Sequence, residues 1–310
     1  MAPDPVRSAP LFLTGASGFV GARLLRQLAQ AGHSEVRLLV RNPARLRSGP
    51  PLPRGWRILV GELADPAPWS AHLRGVETVL HLAAATGKVP RRTHFAVTVE
   101  GTRRLLAEAE RAGVRRFLFV SSIAVCYRDR PHYHYAEAKA AAEELVRAAR
   151  LDWLLVRPTL VLGPGSPLLA SLRRLALLPR PVVFGNGRQL IQPIHVDDLA
   201  GLLVAALSLP EWQGTVLTAA GPQAVSIEEL LGRLRSRERS GPGRFLHLPI
   251  APVRRLLALL EPLLLSALPF TAGQLAFFAN PSLPPSDPLP AGLPHPALGL
   301  EAMLAGDPAA

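Results

Sequence analysis

The chain has 310 residues, 48% hydrophobic and 19% charged. That suits one large or two modest globular domains and excludes a disordered chain. The formal charge of +12 invites a nucleic-acid reading, but its makeup argues against one. Of 35 basic residues only Lys88 and Lys139 are lysine, and the remaining 33 arginines fall in short runs such as Arg254-Arg255 that read as solvated helix faces. No nucleic-acid partner is expected, whereas attraction to acidic surfaces or phosphorylated ligands stays open. The single cysteine, Cys126, excludes an internal disulfide and a cysteine metal cluster, and suits a reducing cytoplasm; no metal is expected. Met1-Ala-Pro-Asp-Pro lacks the layout of a signal peptide. The longest apolar segment, Leu256 to Phe270, is broken by Glu261, Pro262 and Pro269 and is too short to span a bilayer. It is read as a helix packed within the protein, with peripheral membrane contact the lesser alternative.

The first element is a short apolar strand, from Leu11, that runs into Gly15, Gly18 and Gly21 and then into a helix with Leu24, Leu25 and Leu28 on one face. Glycines at such a joint let the backbone turn tightly and approach a diphosphate, to which the helix N-terminus offers N–H groups. Glu35 to Val40 is a second strand, ending in Arg41, about twenty residues past Gly21, where an NAD-preferring fold usually presents an acid. Arg41, with Arg45 and Arg47 behind it, would pair with a 2′-phosphate, so NADP is expected ahead of NAD.

Trp56 to Val60 and Val76 to Leu82 read as further strands, the latter with a structural His81, and a helix over Thr93 to Ala112 stops at Gly113. Arg116 to Ser121 is the fifth strand. The alternation predicts an α/β fold, a doubly wound parallel sheet of Rossmann type, with the ligand across the strands' carboxyl ends.

Ser122 leaves that fifth strand, and Tyr135 to Lys139 begins the next helix. Residues four apart share a helix face, so the Lys139 ammonium beside the Tyr135 phenol is expected to lower its pKa and fit it for proton transfer with an alcohol or ketone. Ser122 would steady the same oxygen. The chain has three tyrosines and two lysines, which makes this spacing hard to attribute to chance. His132 and His134 are read as loop residues.

With these pieces in place the chain resembles the extended short-chain dehydrogenase/reductase family, in its epimerase/dehydratase-like branch. The matching stretches are Thr14 to Gly21, His81 to Ala84, Glu100-Gly-Thr102, Val120 to Ser122, Tyr135 to Lys139, Arg157-Pro158, Gly163-Pro164 and Pro193 to Asp198. The resemblance implies Tyr135 as acid/base, Lys139 on the nicotinamide ribose and Ser122 as substrate-orienting group. It implies a cofactor cradle of Gly15, Ser17, Gly18, Phe19, Val20 and Gly21, with Arg41, Glu62, Leu63, Leu82, Ala83, Ala84 and Thr98 around it and the backbone of Arg157 and Pro158 against the nicotinamide. Thr98 stands where the family usually carries Asn, which alters any proton relay there, and Glu62 replaces a common Asp. The interval from Ser122 to Tyr135 is shorter than in typical nucleotide-sugar members. The family often dimerises through the helices holding Thr102 and Lys139, so a homodimer is an option.

Residues 8–162 are expected to form the NAD(P)-binding domain. The mixed region 163–310 would supply sheet-completing segments at about 182–220 and a substrate lid at about 163–180 and 225–310. A helix is read over Leu168 to Leu178. Asp197-Asp198 is read as the cap of a helix from Leu199 to Leu207, and Ser226-Ile-Glu-Glu229 as a capping box for a helix running to Arg237. Candidate pocket walls are Leu256 to Leu268, Phe270, Phe277 and Phe278, which would suit an apolar carbonyl compound. Hydride transfer between NADP(H) and a small carbonyl or alcohol is the leading expectation. A nucleotide-sugar epimerase or dehydratase, and a dinucleotide-binding subunit or sensor without turnover, are the alternatives.

Overall fold

Every residue of β1 (Leu11–Thr14) is buried, the mark of a strand covered on both faces in a parallel sheet. Its side chains alternate. Leu11 and Leu13 join an apolar cluster with Leu24, Leu28 and Leu203, and Phe12 joins another with Trp69, Leu105 and Phe117 on the opposite face. Each such buried side chain contributes about 1.5–3 kcal/mol. The computed structural model describes residues 9–46, 51–212, 214–238, 243–268, 270–285 and 289–305; Arg47 and Pro269 lie outside them.

After β1 come β2 (Val36–Val40), β3 (Arg57–Val60), β4 (Thr78–His81), β5 (Arg116–Val120), β6 (Asp152–Pro158) and β7 (Thr215–Ala219). They form one parallel sheet in the order β7-β6-β5-β4-β1-β2-β3. The strand order reverses between β1 and β4, which opens a crevice beyond their carboxyl ends. The helices that frame it are α1 (Phe19–Gln30), α2 (Arg91–His94), α3 (Gly101–Arg111) and α4 (His134–Arg147). A π-helical turn, Phe95–Glu100, joins α2 to α3 without a break.

Beyond β6 the chain runs through α5 (Pro167–Ala176), α6 (Val196–Ala206), α7 (Ile227–Glu238) and α8 (Ile250–Leu264). Of the stretch expected to complete the sheet, only β7 does so. Val182–Phe184 pairs with Leu246–Leu248, Leu190–Ile191 with Val225–Ser226, and Ile194–His195 with Val161–Leu162. The free edge of β6 is taken by β7, and several of the short strands instead place Val183, Phe184, Ile191 and Val225 in a separate apolar cluster with Leu172, Leu231 and Phe278.

Three local expectations are corrected. His195, not an aspartate, caps α6, its Nδ1 accepting from the Asp197 N–H at 3.1 Å. Asp198 instead fastens the tail, accepting from the N–H groups of Ala297 and Leu298. Ser226 does accept from the Glu229 N–H at 3.0 Å, but the Glu229 carboxylate pairs with Arg233, so only half of the capping box forms. In α8, expected to be packed, only Leu257 is fully buried and Leu256, Leu259, Leu263 and Leu264 are exposed. The helix is apolar on both faces, and one face meets the protein, through Ile250, Val253 and Leu260.

Candidate active site

The glycine bend owes its shape to close packing. Gly15 has φ +79, and a Cβ there would lie 2.7 Å from the Ala83 nitrogen, so the bend and the end of β4 are in backbone contact. A Cβ on Gly21 would lie 2.2 Å from the Gly15 carbonyl oxygen, which is why α1 can start so near β1. Gly18 is the N-cap of α1 and no side chain caps it. Ser17, Phe19 and Val20 complete this turn, at whose N-terminus no side-chain cap forms.

A buried relay ties the bend to its neighbours. Thr102 Oγ1 donates to the Thr98 carbonyl at 2.5 Å, so His81 Nε2 carries the proton given to Thr102, at 2.9 Å. His81 Nδ1 then accepts from Thr14 Oγ1 at 2.6 Å, and Thr14 Oγ1 accepts from the Ala83 N–H. Complete burial, with Lys139 nearby, brings the His81 pKa down to about 3, which matches this neutral tautomer. His81 is thus a structural hydrogen-bonder. Thr98, in the π-helical turn, accepts from the Ala85 N–H at 3.2 Å, and the Ala85 carbonyl meets His94 Nδ1. Such turns often occur at functional sites; this one fixes the backbone that follows Leu82, Ala83 and Ala84.

At the carboxyl end of β5, Ser122 caps the next turn by accepting from the Ala124 N–H at 3.2 Å. Tyr135 lies within reach of its hydroxyl: burial pushes the phenol pKa up, and the hydrogen bond with Ser122 pulls it down. Lys139, 2% exposed, donates from Nζ to the Val120 carbonyl at 2.6 Å and lies 4.5 Å from the centre of the Phe119 ring. Burial lowers its pKa to about 7, with Glu143 one turn on opposing the shift. The expectation that the ammonium lowers the phenol pKa is therefore corrected. The amine is directed to a backbone carbonyl, and desolvation dominates the phenol.

Arg157 was expected to act through its backbone. Its side chain forms a two-pronged bond with buried Glu143, Nε to Oε1 at 2.9 Å and Nη2 to Oε2 at 2.6 Å, and Arg147 adds a third at 2.8 Å. Burial alone would raise the Glu143 pKa, but the hydrogen-bonded guanidinium groups of Arg157 and Arg147 hold it below the ordinary range. Pro158 is the buried last residue of β6. Arg41 and Glu62 stand exposed past the ends of β2 and β3, Arg45 likewise, while Leu63 packs under Gly101.

The three tyrosines form one row. Tyr127 stacks on Tyr133 with ring centres 6.5 Å apart, and Tyr133 meets Tyr135 at 5.9 Å. Ile123, Ala124 and Ala276 pack around them. Burial raises the Tyr127 pKa to about 12 and that of Tyr133 further still. Phe277 and Phe278, expected as pocket walls, pack edge-on against each other, and Phe278 also against Phe184, in the separate cluster. Of the two loop histidines, His132 has φ +61 in an exposed turn, whereas His134 opens α4 and meets Glu137 at 3.2 Å. Sequence reasoning missed Asn280, whose side chain accepts from the N–H groups of Arg128 and Asp129 and donates to the Asp129 carbonyl, holding the loop before Tyr135. It also missed Glu143, whose signal was its place four residues past Lys139 on the same helix face. Among the described residues no cluster of three or more His, Cys, Asp or Glu could hold a metal ion.

Residues 15–167 match the NAD(P)H-binding family model. The chain is 36% identical over 207 residues to a ceramide reductase of Caulobacter vibrioides, an alignment covering 64% of this chain and 61% of that one. It is 30% identical over 278 residues to a dihydroflavonol 4-reductase of Zea mays, covering 76% of each. The solved structure of MoeE5 in complex with UDP-glucuronic acid and NAD superposes with a TM-score of 0.65 at 28% identity, covering 78% of this chain and 86% of that one. The fold and the site thus define an NAD(P)-binding protein of doubly wound type. The chain belongs to the extended short-chain dehydrogenase/reductase family. It spans less than two thirds of the length of the Caulobacter relative. A dinucleotide fits what is present: Gly15, Gly18 and Gly21 allow a tight, closely packed bend ahead of α1, whose N-terminus carries no side-chain cap and can offer its N–H groups to a diphosphate.

Proposed function

We propose that the chain is an NADPH-dependent carbonyl reductase, or the reverse dehydrogenase, for a small and largely apolar substrate. The observation that carries this reading is the Ser122–Tyr135 hydroxyl pair, beside buried Lys139, at the carboxyl end of β5. A nicotinamide held against Pro158 and the Arg157 backbone would supply the hydride. Ser122 and Tyr135 donate to the carbonyl oxygen and polarise it. Tyr135, whose proton burial retains, passes that proton to the oxygen as the alcohol forms. Lys139, on the same helix face, would hold the nicotinamide ribose. Gly15 to Gly21 would cradle the diphosphate, and exposed Arg41 past the end of β2 supports the 2′-phosphate of NADP. The apolar setting of Tyr135, made by Ile123, Ala124, Tyr133 and Ala276, supports an apolar substrate. Both curated relatives described above are named as reductases, which supports net reduction.

Purified protein should oxidise NADPH against a panel of ketones, prefer NADPH to NADH, and lose that preference in Arg41→Ala. Tyr135→Phe should lower kcat by about 10²–10⁴-fold while NADPH binding is kept; full activity in that variant rejects the reading. The likeness to MoeE5, solved with UDP-glucuronic acid, supports a second reading as a nucleotide-sugar epimerase or dehydratase. Its signature is conversion of a sugar nucleotide with tightly retained cofactor and no net NADPH consumption.

A further inference from the structure

α8 leaves one apolar face uncovered. Leu256, Leu259 and Leu263 follow one another at helical spacing and are 56%, 74% and 86% exposed. A contiguous leucine stripe on a protein surface marks a contact site. On α8 itself the outward-facing charge has one sign. Arg255 is exposed at the edge of the stripe, one residue before Leu256, whereas Arg254 pairs with Asp129. The one acid of α8, Glu261, turns back to accept from the Ala272 N–H. The outward face therefore carries leucines and an arginine, on a protein of net charge +12.

The position of α8 relates it to the site. Its N-terminal half borders a hollow of about 390 Å³ lined by Pro131, His132, Arg254 and Arg255, in the loop that leads to Tyr135. Just past its C-terminal end, the carbonyls of Ser266 and Leu268 accept from Lys88 Nζ, at 3.4 and 2.5 Å, in the segment that follows Ala83 to Ala85. α8 thus spans the rim formed by the loops after β4 and β5.

We propose that α8 is an interfacial helix that lays its leucine stripe on an anionic lipid bilayer, with Arg255 at the headgroups, and so turns the mouth of the site to that surface. An exposed apolar stripe bordered by a cation is what an anionic interface accepts; no helix among the described residues is long and apolar enough to cross a membrane. Charge complementarity selects this occupant, because the stripe is flanked by a cation and lacks an outward acid. The significance for substrate supply rests on the reductase reading above, whereas the docking itself does not.

The test is co-sedimentation of the full chain with phosphatidylcholine vesicles, with and without phosphatidylglycerol. The wild type should sediment with the anionic vesicles, and Leu259→Glu/Leu263→Glu should bind them at least about tenfold less. Both substitutions are at exposed positions, and an unchanged melting curve and NADPH titration would show that the fold is kept. Leu259→Ser/Leu263→Ser serves if the charged pair misfolds. Failure of the wild type to bind, or equal binding by the variants, overturns the proposal. So does sedimentation velocity showing a lipid-free dimer that the same substitutions dissociate, because the stripe would then be a contact between copies. NADPH turnover on a water-soluble ketone is read separately, so failure of docking and failure of the reductase reading are distinguishable.

Discussion

Lys139 has a buried amine, with the Val120 carbonyl at 2.6 Å and the Phe119 ring beneath it. Burial takes its pKa from the ordinary lysine range to about 7. Between about pH 7 and about pH 10 the folded protein therefore holds fewer protons than the unfolded chain, so stability rises with pH across that window and levels off below it. The slope attributable to this residue reaches about 1.4 kcal/mol per pH unit. Urea unfolding of the cofactor-free protein should show this rise, and Lys139→Met should abolish it; parallel profiles would contradict it. The spacing of Tyr135 and Lys139 was legible in the sequence because it is a property of one helix. The acceptor of the lysine was not, because Val120 becomes its neighbour only when α4 packs against β5.

The glycine bend and the π-helical turn act as elements rather than as single residues. Gly21→Ala would push a methyl against the Gly15 carbonyl and the Ala16 backbone, at 2.2 and 2.8 Å, where no flexible side chain can yield. It should cost about 1–3 kcal/mol and weaken NADPH binding at least tenfold, read by urea unfolding and fluorescence titration. Gly232→Ala, in α7 with open space around it, should instead stabilise by up to about 1 kcal/mol. Loss of stability at both positions would refute the packing argument. The glycine spacing announced the bend. The π-helical turn went unread because apolar periodicity alone does not tell its register from that of the α-helix around it.

On the scale of the whole molecule, the parallel sheet and the C-terminal segments hold distinct apolar clusters. Phe278, 2% exposed and edge-on to Phe184 at 5.1 Å, belongs to the second. Phe278→Ala should cost about 3–5 kcal/mol and impair substrate turnover, while the NADPH dissociation constant stays within about twofold, as expected for additive, distant sites. A parallel loss of cofactor affinity would show instead that the two clusters behave as one unit. Asn280 and Asp198 are the links to watch, since one holds the loop before Tyr135 and the other fastens the tail to α6.

Alternating strand and helix periods, a glycine bend after the first strand and the Ser122, Tyr135, Lys139 pattern determined the fold class and the candidate chemistry without coordinates, because each is a short-range regularity of the chain. Tertiary structure decided which edge of the sheet Thr215–Ala219 completes, that Glu143 grips Arg157, and which way Lys139 and the leucines of α8 face. These depend on what lies across from a side chain once elements pack. An apolar helix reads alike in sequence whether both of its faces are covered or only one.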